Sequence, residues 1–214
     1  MFSSALLAAN WVQNILAAIL FGVTLSISIR AILIYTRTDS PRILILGISM
    51  GVIALTALAD FISSNNTGLT LHTDWFLYLG QGTSYLFIAL SLLRNTNDYF
   101  RVLIRVQIFL TALLIGVVLL SPTLPDLPFL WLRVLLSGSR IVGCLAIFFA
   151  YTSAYLAKRA RFSLLMGISF ALLAFGYLVL IQKYFSANGD ILDHVGDFVR
   201  IAGLLVLFLA TLIG

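Results

Sequence analysis

Seven stretches of apolar residues, at approximately 10–34, 43–62, 75–93, 102–120, 129–156, 162–181 and 195–213, are separated by short polar joints. Each holds about 19 to 28 residues, and roughly 20 helical residues at about 1.5 Å apiece cross the hydrocarbon core of a bilayer. Inside lipid every backbone N–H and C=O must be satisfied by the segment itself, which makes these stretches helices. Barrel strands would be about ten residues long and would alternate in polarity. The pattern predicts an all-α, seven-transmembrane-helix bundle filling residues 1–214 as one polytopic membrane domain.

The joints alternate in charge. The first, third and fifth are basic, with Arg30, Arg37 and Arg42, then Arg94, Arg101 and Arg105, then Lys158, Arg159 and Arg161. The second and fourth carry acids without bases, and the sixth sets Lys183 against Asp190 and Asp193. One side of the membrane thus holds nine bases and two acids, and the other four bases and six acids. The positive-inside rule puts the basic side in the cytoplasm, the N-terminus outside and the C-terminus inside. Trp11, Trp75 and Trp131 all fall at outer helix ends, where indoles favour the interface.

Composition agrees with lipid as the solvent. Hydrophobic residues make up 61% of the chain and charged residues 10%, mean hydropathy is +1.09, and there is no Glu. The net charge of +5 is accounted for by the basic joints, which attract anionic lipid. No basic patch interleaved with aromatics suggests nucleic acid. The N-terminal residues MFSSALLAANW lack the basic region of a signal peptide and are expected to open the first helix. Cys144, the single cysteine, reads as a small buried hydrophobe. Asn65-Asn66-Thr67 is a glycosylation triplet on the outer side, and the Ser121–Pro128 joint is Pro-rich. Gly47 and Gly51 in the second span, and Gly167 and Ala171 in the sixth, have the spacing that lets helix backbones approach, and packing within the bundle is expected of them.

Ionisable groups inside a membrane are costly and need a partner or a use. Arg140 is eighteen residues from Lys158, about 27 Å along a helix, which places it a turn or two below the outer surface. Asp197 and Arg200 share one face of the last helix, with Asp193 and His194 a turn above, and Asp60 ends the second. Asp74, Tyr78, Gln81 and Tyr85 form one face of the third helix, where Gly80 and Gly82 leave room for a neighbour. A closed bundle could gather Asp60, Gln81, Tyr85, Arg140, His194, Asp197 and Arg200 into one outward-opening cavity for a small polar or anionic ligand. The same charges also fit two structural ion pairs, Asp60–Arg140 and Asp197–Arg200, with Arg133 and Lys183 reaching out to water.

Several chemistries lack their residues. A covalent retinal needs a lysine midway along the seventh helix, and none is there. Haem would have to rely on His72 and His194, both near the outer surface, where a surface role suits them better. Two His, one Cys and no Glu do not make a usual metal site, and no hydrolase or nucleotide-binding motif occurs, so no enzyme is expected. No repeat of fixed short period is visible, and seven spans do not divide into equal halves, which argues against a secondary transporter.

The residues Asp193-His194-Val195-Gly196-Asp197-Phe198-Val199-Arg200-Ile201-Ala202-Gly203 form a polar entry into a final apolar helix. With the outside-in seven-helix layout, the chain resembles the bacterial membrane-associated sensor regions that precede histidine kinase or diguanylate cyclase modules. The resemblance implies a ligand-sensing, receptor-like module of the bacterial cytoplasmic membrane, working with a cytoplasmic or membrane protein partner. The sequence reaches Gly214 without an output domain, so either a partner carries the output or the sequence is part of a longer chain. A structural subunit of a larger membrane complex and a small-solute transporter are the alternatives.

Overall fold

A computed structural model describes residues 2–65, 73–93, 96–120, 129–186 and 189–213. The fold is all-α, with seven helices: α1 (Phe2–Thr38), α2 (Pro41–Asn65), α3 (Asp74–Leu93), α4 (Asn97–Leu119), α5 (Leu130–Lys158), α6 (Arg161–Gln182) and α7 (Gly189–Ile213). Each contains a segment long and apolar enough to span a membrane. The glycosylation triplet beyond Asn65, the Ser121–Pro128 joint, His72, Arg94 and Asp126 lie outside the described residues, as do the side chains of Trp11 and Asp190.

Local chemistry sets the tight joints. Pro41 starts α2, where its missing N–H costs nothing and its fixed φ suits a helix. Asp39 and Arg159 adopt left-handed backbone conformations, φ 51° and 52°, just after α1 and α5. Their N–H groups donate to the carbonyls of Tyr35 and Tyr155 at 2.8 and 2.7 Å. This is the αL helix cap, which turns the chain sharply enough for α2 and α6 to fold back.

Six helices close a ring in the order α1, α2, α3, α5, α6, α7, with α7 returning to α1, while α4 packs outside against α2 and α3. At the basic end Arg30 of α1 closes the ring, donating from Nε to the Thr211 carbonyl at 2.6 Å and from Nη2 to that of Leu212 at 3.3 Å. A cation among the last carbonyls of α7 is also favoured by the helix dipole. The core at the ring's centre is made of Ile27, Met50, Ile53, Tyr85, Ile147, Phe170, Leu173, Leu204 and their neighbours.

The glycines set the seams, and the α2 and α6 motifs pack within the bundle. A Cβ on Gly47 would lie 3.2 Å from Ile32 and 3.3 Å from Ala31 of α1, and the Ser28 hydroxyl donates to the Gly47 carbonyl at 2.7 Å. Gly167 faces Thr152 and Phe148 of α5. Gly80 and Gly82 admit Thr56 of α2 and Ser139 of α5 on the two sides of α3. The α6–α7 seam is the closest: Gly176 lies against Arg200 and the Gly196 carbonyl, Gly196 against Leu180, and Gly203 against the Ser169 carbonyl.

These contacts expose an internal repeat, which corrects the expectation that the spans do not divide. The ring order is unchanged when α1, α2 and α3 are exchanged for α5, α6 and α7. Adding 120 to a residue number in α1 or α2 gives its counterpart: Asp39 and Arg159 at the caps, Tyr35 and Tyr155 as acceptors, Gly47 and Gly167 at the seams. The buried positions correspond as well, Thr24 with Cys144, Ile27 with Ile147, Ser49 with Ser169, Met50 with Phe170, Ile53 with Leu173 and Ala54 with Ala174. From α3 to α7 the interval is 116, pairing Gly80 with Gly196 and Ile88 with Leu204. The molecule is two like-oriented three-helix units with α4 between them in sequence, a parallel repeat of the kind found in some transporters.

Candidate functional site

At the end of the ring away from the basic joints, a cavity of about 270 Å³ opens between the two units. It lies on the repeat relationship. Ala17 and Ser137, Leu20 and Arg140, Ala57 and Tyr177, Asp60 and Leu180, Leu77 and Asp193, and Gln81 and Asp197 are counterparts, and all twelve line it. A symmetric scaffold thus carries an asymmetric lining. Opposite Ser137, Arg140, Tyr177 and Asp193 of the second unit stand the apolar Ala17, Leu20, Ala57 and Leu77 of the first.

Gln81 is the hub of the floor. Its carbonyl oxygen accepts from Arg140 Nη1 at 2.8 Å and from the Tyr177 hydroxyl at 2.9 Å. Arginine only donates, so the amide must turn its oxygen this way. Its Nε2 points to the Thr56 hydroxyl at 3.4 Å. The Tyr177 proton is committed to Gln81, so Tyr85 donates to the Tyr177 oxygen, at 3.1 Å. Tyr85 also meets Tyr177 and Phe170 edge to face. These rings close the cavity from the rest of the core.

Arg140 is only 2% exposed. Its guanidinium lies 4.3 Å from the centroid of the Tyr78 ring and 5.2 Å from that of Tyr177. Ring faces attract a cation and hold its plane. Arg140 Nε and Nη2 are buried without a hydrogen-bond partner among the described residues. The three other cations at this end of the bundle have carboxylate partners. Arg200 pairs with Asp197 on α7, Lys183 with Asp193 at 2.8 Å and Arg133 with Asp74 at 3.6 Å. Arg200 also lies 5.2 Å from the Tyr177 centroid, in space that Gly176 leaves open. At the mouth Tyr184 bonds Tyr78, hydroxyl to hydroxyl, at 2.7 Å, and burial followed by that bond holds its pKa well above the ordinary tyrosine value.

Of the seven residues expected here, Asp60, Gln81, Arg140, Asp197 and Arg200 line the cavity. Tyr85 lies one turn deeper, in the core beneath it, and His194 is half-buried on α7 outside the lining. The Asp197–Arg200 pair is present, but Arg140 bonds the neutral Gln81 and not Asp60, because the Gln81 oxygen reaches it first across the α3–α5 seam. Arg133 and Lys183 are held by carboxylates and do not simply extend to water. Sequence reasoning missed Tyr177, which sits in a span that reads as uniformly apolar. Its one signal is Gly176 beside it, room that only a neighbouring helix explains. Tyr78 lies on the expected face of α3, but its stacking against Arg140 has no signature in the sequence. No family model, curated protein or solved structure matches the chain.

Proposed function

We propose that the chain is a ligand-sensing, receptor-like module of a bacterial cytoplasmic membrane, with its cavity facing out and its basic joints facing an output partner in the cell. The charge bias of the joints supports the orientation, with the N-terminus outside. The observation that carries the reading is Arg140: a buried cation, stacked and fixed, lining an open cavity with two donor nitrogens that no described residue accepts from. The other cations that line the cavity, Arg200 and Lys183, each have a carboxylate partner. Ligand binding between the units shifts their packing and passes the signal to the basic face.

Native mass spectrometry of the chain in mild detergent tests this. A small molecule that stays with the wild type and is lost from Ala17→Trp, which fills the cavity and leaves its charges in place, is the expected result. The same adducts on both proteins, or none on either, sink the reading. A polypeptide recovered in fixed ratio identifies the output partner.

The repeat favours a second reading, a small-solute transporter, because a site between like units can open to either side by rocking one against the other. The closed floor at Tyr85 and Phe170 is then one of two states. Uptake of the bound molecule into proteoliposomes distinguishes this from sensing.

A further inference from the structure

Building on the reading of the cavity as a ligand site, we propose that it receives a small monocarboxylate with a short apolar body, its carboxylate held side-on by Arg140. Nε and Nη2 lie on one edge of a guanidinium, and their N–H bonds run nearly parallel, matching the two oxygens of a carboxylate. These are the two nitrogens of Arg140 that lack an acceptor, whereas Nη1, on the far side, is taken by Gln81. Tyr78 and Tyr177 fix the guanidinium plane, and both nitrogens are buried, so a ligand that reaches them meets a fork already oriented.

Arg200, Lys183 and Arg133 are already matched by Asp197, Asp193 and Asp74. Of these four cations Arg140 alone has no carboxylate among its hydrogen-bond partners, so an anionic acceptor is what its free edge lacks. Asp60, Asp74, Asp193 and Asp197 also line the cavity, and they repel a dicarboxylate or a phosphate dianion more strongly than a monoanion. The apolar wall selects the rest of the molecule. Leu20 and Ala57 are the repeat counterparts of Arg140 and Tyr177, so they face those residues across the cavity. A carboxylate seated on Arg140 directs its carbon chain toward them.

The test uses the whole chain in lipid nanodiscs, with butyrate, butyramide, succinate and inorganic phosphate as probes and a saturable rise in unfolding temperature as the readout. Butyrate is expected to bind at least about tenfold more tightly than its amide, since a charge-assisted fork is lost with the carboxylate. Succinate and phosphate are expected to bind more weakly than butyrate. Arg140→Lys keeps the charge, loses the planar fork, and should weaken butyrate about tenfold or more. Ala57→Leu leaves every charge in place and should lower the affinity for butyrate while sparing acetate, so the proposal is still tested if Arg140→Lys does not fold. Equal binding of butyramide and butyrate, tighter binding of phosphate, or an Arg140→Lys protein that binds butyrate unchanged would overturn the carboxylate assignment. If Ala17→Trp still abolishes the butyramide binding, the ligand cavity survives without the carboxylate. If no probe binds and no molecule accompanies the extracted chain, both proposals fall.

Discussion

Arg140 on α5 and Gln81 on α3 share a 2.8 Å hydrogen bond that places a cation, 2% exposed, against a neutral amide. Replacing the amide by a carboxylate changes the balance of the whole site. Gln81→Glu is expected to give Arg140 an internal counter-ion, raise the unfolding temperature and abolish butyrate binding. Gln81→Leu removes the acceptor of both Arg140 and Tyr177 and should cost about 2–4 kcal/mol, because two buried donors lose their partner. Thermal unfolding of the two variants, with and without butyrate, checks both statements. A Gln81→Glu protein that binds butyrate as the wild type does would mean that the Arg140 charge is not what the ligand meets.

The α6–α7 seam depends on the absence of a side chain at Gly176. A Cβ there would stand 2.7 Å from Arg200 Cγ and 3.0 Å from the Gly196 carbonyl oxygen. Gly176→Ala is expected to destabilise by about 1–3 kcal/mol and to displace Arg200. Gly116→Ala on α4 is the control. Nothing lies within 4 Å of its added methyl, so it should be neutral or stabilising by up to about 1 kcal/mol. Comparable losses in the two variants would contradict the close packing of α6 on α7.

Arg30→Ala should release the last turn of α7 from α1. The cost expected is about 1 kcal/mol, from lost bonds to the Thr211 and Leu212 carbonyls and a lost cation at a helix C-terminus. Hydrogen exchange should quicken in the final turn of α7 and stay unchanged around Gly196 of the same helix. Uniform acceleration along α7 would show that Arg30 supports the helix as a whole and not its end.

Orientation is testable with one added thiol at a time, because the native Cys144 is fully buried. A membrane-impermeant maleimide applied to intact cells should label Ser186→Cys at the cavity end. It should reach Ala160→Cys, in the α5–α6 joint, only after the cells are broken. The reverse pattern would invert the chain and turn the cavity toward the cytoplasm.

The helices were legible because lipid leaves a long apolar segment few alternatives; Asp60, Arg140, Asp197 and Arg200 were legible because buried charge is rare enough to stand out, and Gln81 because it shares a polar helix face with Asp74 and Tyr78. Tyr177 was not, since a phenol within a hydrophobic run differs from phenylalanine by one atom, and its partners lie on other helices. The repeat was hidden for a different reason. Between α2 and α6 it retains Leu44 with Leu164, Gly47 with Gly167, Ile48 with Ile168, Ser49 with Ser169 and Ala54 with Ala174, which are residue types common in any span. The correspondence becomes plain when burial and seam contacts are compared, because packing preserves volume and position more strictly than identity. The count of seven concealed it too, since an odd number of spans looks indivisible until one helix is found outside the ring.

That helix, α4, has a consequence of parity. A unit of three passes finishes on the opposite face from where it began, so a second unit of the same orientation can follow only after one more crossing. The return stroke needs length and apolarity, and it is tied to α2 by Gln107, whose Nε2 donates to the Ile45 carbonyl at 3.2 Å and to the Ser49 hydroxyl at 2.9 Å. A leucine-rich helix of about 20 residues that keeps Gln107 should therefore serve in place of α4.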